Sequence, residues 1–184
     1  GTAAEAGECY LDRTGKVVAT GRGDRFSEAL GQNVSSAEWF RNGMRTASGD
    51  DFAVCDIGLN PVLGGAQTAT YSTAIRRGGE VDGEVIGVLG IFFDWEPQAR
   101  AIVEGVALPE GERTGTRVML LDARHRVIAA SDRLCSLGEQ YPLKPTAAQG
   151  YYDNGSHMIC YALTPGYETY KGLGWYGCIE SRTS

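Results

Sequence analysis

Two adjacent aromatic residues and a nearby carboxylate are the side chains best suited by type to binding a small molecule. Trp39 and Phe40 fall in a segment that is predicted to be helical. Their rings could stack on a ligand or, as aromatic pairs on an apolar helix face commonly do, join the core. Asp56 follows an apolar strand pattern and could accept hydrogen bonds from a ligand amine. The alternative is that the adjoining loop satisfies this carboxylate. Binding, rather than catalysis, is the chemistry that these residues indicate.

A strand predicted over residues 67–76 carries further polar candidates. Tyr71 and Thr73 share one face of this strand, whereas Thr70 and Ser72 share the other, because side chains alternate along a strand. One pair should face the preceding helix, and the pattern leaves open which pair does so. We take Tyr71 and Thr73 as the candidate ligand contacts.

Charged residues at the ends of neighbouring elements complete the set of candidates. Arg76 and Arg77 are suited to a ligand carboxylate, since a guanidinium group matches a carboxylate in a bidentate way. The competing interpretation places both arginines in a solvated turn before the glycines at 78–79. Asp94 ends an uncharged strand pattern, and for this residue the capping of the following helix ranks above contact with a ligand.

Recognised motifs for catalysis, metal binding and phosphate binding are absent from the sequence. His125 and His157 are far apart and lack partners at metal-ligand spacing. No nucleophile, base and orienting group can be assembled from motifs, so we expect no enzymatic activity, no metal and no cofactor. The cysteines lack CxxC spacing, and their odd number leaves at least one free or paired between chains. They are Cys9, Cys55, Cys135, Cys160 and Cys178.

The composition is that of a globular protein, and its charge argues against nucleic acid as the main partner. Of 184 residues, 42% are hydrophobic and 22% are charged, and the net charge is −6 without any basic run. No segment is long enough to span a bilayer, and no signal peptide is present. The chain nevertheless begins with Gly, and its first Met is Met44. We therefore expect a piece of a longer protein, which leaves open whether membrane segments lie outside it.

The elements that position the candidates are organised around residues 83–106. The uncharged run at 85–93 is rich in Val, Ile and Phe and predicts a strand. Because the run does not alternate apolar with polar residues, both faces of this strand should be covered. Apolar residues then recur at helical spacing, which predicts a connecting helix with Pro97 in its first turn. Upstream, Ser35 and Glu38 match a capping box that would begin the aromatic helix.

Part of the sequence repeats at an offset of 110 residues. The segment LDRTGKVVAT at 11–20 resembles LDARHRVIAA at 121–130, with Leu, Asp, Val and Ala matching in place. Each copy is a strand, a polar turn and a second strand, which predicts a β-hairpin. We infer an α+β protein of two related modules in tandem, each an antiparallel sheet flanked by helices.

These motifs together resemble the double Cache (dCache) sensor domains. The hairpin YLDRTGKVVAT, the helix carrying Trp39-Phe40 and the strands ATYSTAIRRGGEVDGEVIGVLGIFFDW resemble the membrane-distal module of that family. The segments RVMLLDARHRVIAASD and GLGWYGCIE resemble its smaller membrane-proximal module. The resemblance implies two PAS-like modules, at 1–95 and 116–184, joined by a connecting helix and linker at 96–115.

The resemblance also implies a function without catalysis. It implies an extracytoplasmic (periplasmic) sensor domain of an inner-membrane chemoreceptor, histidine kinase or diguanylate cyclase, with homodimerisation as one option. Its ligand would be an amino acid, organic acid, amine or similar molecule, bound in the distal module. Amino-acid-binding members carry an Arg two residues before the Trp and an Asp in the last strand, where this chain has Ala37 and, approximately, Phe92. Phe92 is therefore a candidate contact, and the ligand class stays open.

Two other functional classes fit parts of the sequence. A cytoplasmic GAF-like or PAS-like regulatory module, binding a nucleotide or a tetrapyrrole, would also suit the polar turn and apolar strand RRGGEVDGEVIGVLGI. A bound chromophore or a co-purified nucleotide would favour that alternative. A structural or dimerisation module would show dimers and no pocket.

Overall fold

The chain divides into two compact units, which are described separately here. The computed structural model describes residues 6–24, 26–109, 111–132, 137–165 and 172–182. The first unit is Gly1–Glu96 and the second is Pro97–Ser184. None of the helices within the described ranges combines the length and the apolar character that crossing a membrane requires.

The first unit is a five-stranded antiparallel sheet with one α-helix packed on it. The strand order is β2-β1-β5-β4-β3, so the last strand of the unit lies in the middle of the sheet. Short 3-10 helices occupy Ser27–Ala29, Pro61–Leu63 and Arg77–Gly79. The principal elements are β1 (Ala6–Asp12), β2 (Val17–Thr20), α1 (Glu38–Met44), β3 (Ala53–Asn60), β4 (Ala66–Arg76) and β5 (Val85–Asp94).

Helix α1 approaches the sheet closely, through a glycine. Trp39, Phe40 and Gly43 form its buried face. A Cβ atom at Gly43 would lie 2.8 Å from a Val88 methyl carbon, so only glycine fits here without displacement. The Ser72 hydroxyl on β4 donates a 2.7 Å hydrogen bond to the Trp39 carbonyl oxygen. Together these contacts fix the height and orientation of α1 over β4 and β5.

One local prediction for this unit was wrong, and a second holds only in part. Ser35 does not cap α1, because the helix begins at Glu38 and Ser35 lies two residues before the N-cap position. The Ser35 hydroxyl donates instead to Asn33 Oδ1 at 2.6 Å. The N-cap residue is Ala37, whose side chain makes no capping bond. The prediction that β5 is covered on both faces holds only in part. Val88 and Phe92 are buried on the α1 side, whereas Leu89, Ile91 and Phe93 on the opposite face are half-buried.

The second unit contains a sheet with the same strand order as the first. Its order is β7-β6-β10-β9-β8, again with the last strand in the middle. The core on one face includes Met119, Leu121 and Ile159. The predicted Pro97 lies in the first turn of the helix that enters this unit. The elements are α2 (Trp95–Glu104), β6 (Thr116–Leu121), β7 (Val127–Ala130), β8 (Gln149–Asp153), β9 (His157–Leu163) and β10 (Tyr176–Arg182).

Candidate functional site

A cavity of about 470 Å³ opens in the first unit, where the start of α1 meets β3 and β4. The loop before α1 and the 3-10 helix after β3 close its sides. Its volume lies within the range of 300–1,000 Å³ that is usual for small-molecule sites. The residues that give the cavity its chemistry are Glu38, Trp39, Asp56, Asn60, Thr68 and Thr70.

Trp39 connects the wall of the cavity to the core of the unit. It is 8% exposed, and its ring meets that of Phe92 edge-to-face at a centroid distance of 5.1 Å. A Cβ atom at Gly90 would lie 2.7 Å from the Trp39 ring, so the glycine leaves the space that the indole fills. Phe40 and Phe92, both sequence candidates, are core residues that do not line the cavity.

Strand β4 presents threonines to the cavity. Thr68 and Thr70 are buried on the side that faces α1, and their hydroxyl oxygens are 3.3 Å apart. Tyr71 and Thr73 lie on the opposite face, because side chains alternate along the strand. Tyr71 packs there against Phe93 at a centroid distance of 5.7 Å. The structure therefore places neither Tyr71 nor Thr73 at the cavity.

An irregularity in β3 brings Asp56 to the cavity. The register with β4 shifts between Cys55 and Gly58, and a bulge of this kind redirects side chains. Asp56 lines the cavity and its Oδ1 accepts a hydrogen bond from the Ile57 N–H at 3.0 Å. Burial raises the pKa of the neighbouring Cys55 thiol, and the Glu38 and Asp56 carboxylates raise that pKa further. The Glu38 and Asp56 carboxylates therefore both raise the pKa of one thiol in the cavity wall, that of Cys55.

Asn60 is a site residue that the sequence reasoning missed. It is 5% exposed and lines the cavity. Its Oδ1 accepts a 3.1 Å hydrogen bond from the Val62 N–H and so caps the following 3-10 helix. Its Nδ2 is buried and has no acceptor among the residues that the structure describes. The Asn-Pro pair predicted only a loop, although an Asn used as a cap keeps its amide NH₂ for another partner.

The predicted arginines are engaged away from the cavity. Arg76 donates to the carbonyl oxygens of Thr46 at 2.6 Å and Gly83 at 2.9 Å. Arg77 Nε donates to Glu84 Oε2 at 3.0 Å. Neither guanidinium lines the cavity. Arg76 acts instead as a brace between β4 and two loops. Asp94 is opposite Thr68 in the sheet and immediately precedes α2, but it too is outside the cavity lining.

Four of the five cysteines lie in the described part of the chain, and one of these, Cys55, lines the cavity. Cys9, Cys55, Cys160 and Cys178 are free thiols, and Cys135 lies outside the described residues. Within the described ranges, no group of three or more His, Cys, Asp or Glu side chains could hold a metal ion.

A second cavity, of about 330 Å³, lies in the second unit and has a different character. Val103 of α2 lines it together with Val118, Leu120 and Ile179 of the sheet. It contains no charged side chain, and Tyr161, Cys160 and Cys178 are the polar members of a lining that is otherwise apolar. The first cavity combines an aromatic ring, carboxylates and an unpaired amide, and it is the candidate site.

The comparisons with known proteins find similarity in structure and none in sequence. No protein-family model and no curated protein sequence matches the chain. The extracellular domain of the putative histidine kinase rpHK1S-Z16 superposes with a TM-score of 0.65 at 15% identity, over 96% of this chain and 70% of that one. The sensory domain of the Campylobacter jejuni chemoreceptor Tlp3 gives 0.61 at 18% identity, over 96% and 67%.

A third structure extends this set. The ligand-binding domain of the Pseudomonas fluorescens chemoreceptor CtaA, in complex with L-isoleucine, gives a TM-score of 0.64 at 11% identity, over 97% of this chain and 68% of that one. The chain therefore has the fold of extracellular sensor domains from chemoreceptors and histidine kinases.

Proposed function

We propose that this chain is a ligand-binding sensor region of the dCache type, belonging to an extracytoplasmic part of a membrane signalling receptor. Residues 1–95 would be the membrane-distal PAS-like module and residues 116–184 the smaller proximal module, with 96–115 connecting them. The proposal has no catalytic step. The shared fold of chemoreceptor and histidine kinase sensor domains supports it.

The observation that carries the proposal is the cavity beside α1. It places the buried amide of Asn60, the Asp56 carboxylate and the Trp39 ring around one space of about 470 Å³. A buried donor without an acceptor costs free energy, about 1–3 kcal/mol. A ligand atom that accepts from Asn60 Nδ2 would recover that free energy on binding.

The sensor would signal through a difference in affinity between two states of the receptor. A ligand shifts a conformational equilibrium only when it binds one state better than the other. The cavity is bounded by α1, β3 and β4, so closing on a ligand would change how α1 sits on the sheet. Ser72 would transmit such a change to β4, since it holds the Trp39 carbonyl.

The first test is thermal unfolding of the protein against a panel of amino acids, organic acids, amines and purines. A ligand that binds only the folded state raises stability by about 2.7 kcal/mol at a hundredfold excess over its dissociation constant. We expect a saturable rise in Tm with one chemical class. No rise with any class would contradict binding in this cavity.

A matched pair of variants then tests whether the ligand binds in this cavity. Neither variant changes the charge of the protein. Thr70→Phe places a ring in the cavity, and Thr73→Phe places one on the opposite face of the same strand. We expect Thr70→Phe to abolish the ligand-induced rise in Tm and Thr73→Phe to preserve it. The reverse pattern would place the ligand on the other face of the sheet.

A further inference from the structure

One residue in the wall of the candidate cavity is a glycine that the fold does not require. Gly58 lies inside β3, and glycine weakens a strand because it loses much conformational freedom on folding and offers no side chain to pack. Its φ is not positive, unlike that of the glycines in the turns. In the described part of the chain, the only atom within 4 Å of a Cβ built there is the Asp56 carbonyl oxygen, at 3.9 Å. Neither backbone conformation nor close packing therefore demands glycine at this position.

Other glycines near the cavity have a packing reason that Gly58 lacks. A Cβ atom at Gly43 would lie 2.8 Å from a Val88 methyl carbon, and one at Gly90 would lie 2.7 Å from the Trp39 ring. The remaining reason for a glycine inside a strand is the close approach of a ligand to the backbone. Gly58 lines the cavity, so the space that a side chain would fill there is space open to a ligand.

The polar groups beside this space lie on the same face of the sheet. Gly58 is directly opposite Thr68 in the pairing of β3 with β4, and residues paired in this way share a face. Asn60 is two residues further along β3 and therefore shares that face too. Thr68 is 3% exposed and Asn60 is 5% exposed, and both line the cavity. Gly58 thus lies between a buried hydroxyl and a buried amide.

These neighbours supply hydrogen-bond donors that the protein does not use. Asn60 Nδ2 has no acceptor among the described residues. The Thr68 and Thr70 hydroxyls share one hydrogen bond of 3.3 Å, which uses only one of their two hydrogens. Neither hydroxyl bonds to any other group in the described part of the chain. An amide N–H and a hydroxyl O–H are therefore available around Gly58, and a group with oxygen acceptors would satisfy both.

We propose that Gly58 keeps open a subsite of the cavity that binds a carbonyl or carboxylate group of the ligand. The group would lie directly on the β3 backbone, where its oxygen atoms accept from Asn60 Nδ2 and from the remaining hydroxyl hydrogen of Thr68 and Thr70. A side chain at position 58 would occupy this space. The inference rests on the proposed function and names the group by which the cavity recognises its ligand.

A first test needs no ligand. Gly177 is a matched control, because it lies inside β10 of the second unit, lacks a positive φ, and would place a Cβ atom no closer than 3.9 Å to the Ala162 carbonyl oxygen. Valine is favoured in strands, so we expect neither Gly58→Val nor Gly177→Val to lower the Tm. A Tm lowered by Gly58→Val alone would show that the fold requires this glycine, and would overturn the inference.

Three probes with the same branched carbon chain then test the group that is recognised. L-Leucine carries a carboxylate, L-leucinamide carries a neutral amide, and 3-methylbutylamine carries neither. At pH 6.5 all three are ammonium ions, because α-amino groups titrate near pH 8 and alkylamines higher. In isothermal titration calorimetry we expect L-leucine or L-leucinamide to bind at least about tenfold more tightly than the amine, which lacks the oxygen acceptor. The tighter of the two shows whether the oxygen belongs to a carboxylate or to an amide.

Variants assign the binding to this subsite. Gly58→Val should abolish measurable binding of the tighter probe, whereas Gly177→Val should leave its affinity unchanged. Asn60→Asp removes the NH₂ donor but keeps an oxygen for the Val62 N–H, which the native side chain caps. Thr68→Val removes one of the paired hydroxyls without changing the charge. Each of these two variants should weaken binding about tenfold, and Thr68→Val keeps the test valid if Asn60→Asp unfolds the protein.

The outcomes separate this inference from the proposed function. The inference is overturned if the amine binds as tightly as the two carbonyl probes. It is also overturned if Gly58→Val leaves binding unchanged, or if removal of the Asn60 and Thr68 donors has no effect. If neither L-leucine nor L-leucinamide binds, the inference fails, and the thermal panel decides independently on the proposed function.

Discussion

Asp12 and Asp122 occupy the same position in two hairpins that repeat at an offset of 110 residues. Each carboxylate Oδ1 accepts hydrogen bonds from the backbone N–H groups two and four residues further on. The distances are 2.8 and 3.1 Å for Asp12, and 2.8 and 2.9 Å for Asp122. Both hairpins also shift register at the residue before the Asp. The sequence repeat therefore corresponds to a repeated local structure, in which an Asp organises the turn.

The two carboxylates differ in burial, which predicts different contributions to stability. Asp122 is 1% exposed, and its Oδ2 accepts from Arg126 Nε at 2.7 Å. Burial alone would raise the pKa of Asp122, but the hydrogen bonds and charge of Arg126 and the Arg124 N–H lower it below the ordinary value. Asp122→Asn should lower the free energy of unfolding at pH 7 by about 1–3 kcal/mol, the cost of a disrupted buried hydrogen bond. Asp12→Asn, at the less buried position, should cost less.

The pH dependence gives this prediction a second readout. A carboxyl whose folded pKa is lowered stabilises the protein above its unfolded pKa, near 3.9 for Asp. That stability is lost as the pH falls through the folded pKa, so the window lies below about pH 4. Urea unfolding between pH 7 and pH 2 should show this loss in the unmodified protein and a flatter profile for Asp122→Asn. Identical profiles for the two proteins would show that protonation of Asp122 does not cause this loss of stability.

The turn residues at the third position after each Asp should respond differently to substitution. Gly15 and His125 both have positive φ, 83° and 59°, but a Cβ atom at Gly15 would lie 2.7 Å from the Ser35 Cα. Gly15→Ala should therefore destabilise by about 1–3 kcal/mol through overpacking as well as backbone strain. His125→Gly should change stability by no more than about 1 kcal/mol, because relief of strain offsets the loss of its edge contact with Tyr176.

A control separates the cost of backbone strain at Gly15 from the cost of overpacking against Ser35. Gly31 also has a positive φ of 80°, but a Cβ atom there would meet nothing within 4 Å. Gly31→Ala measures backbone strain alone, by urea unfolding under the same conditions. Equal losses for Gly31→Ala and Gly15→Ala would show that the contact with Ser35 contributes nothing.

Gly90 should matter to the candidate site although it does not line the cavity. An alanine Cβ there would lie 2.7 Å from the Trp39 ring and 2.9 Å from the Phe92 ring. Gly90→Ala should destabilise by about 1–3 kcal/mol and reduce affinity for any ligand of the cavity, because Trp39 must move. Gly23→Ala is the control, since its Cβ would have its nearest neighbour at 4.0 Å. Urea unfolding and calorimetry check both effects, and unchanged values for Gly90→Ala would contradict this role of the glycine.

Local structure in this chain was largely predictable from the sequence. Residues 85–93 read as a strand, and β5 is Val85–Asp94. The repeat of 11–20 at 121–130 predicted two hairpins, and both form. These features depend on neighbours within a few residues, such as the Asp that bonds to its own turn. The error at Ser35 has a different cause: the helix begins at Glu38, so Ser35 lies two residues before the N-cap position, and its hydroxyl bonds to Asn33.

The composition of the candidate site was decided by tertiary structure. Alternation along β4 determines that Thr70 and Tyr71 point in opposite directions, but it does not determine which of them α1 covers. That choice follows from long-range packing, namely Gly43 on Val88 and Ser72 on the Trp39 carbonyl.

The sequence by itself thus determined which residues share a face, where strands and helices form, and that one hairpin occurs twice. Only the tertiary structure decided that Asp56 and Asn60 line one cavity. It also decided that Arg76 donates hydrogen bonds to the Thr46 and Gly83 carbonyl oxygens, away from that cavity. The physical reason is that periodicity and turn chemistry act over a few residues. The burial of a side chain and the partners of its polar atoms depend instead on segments that are distant in the chain.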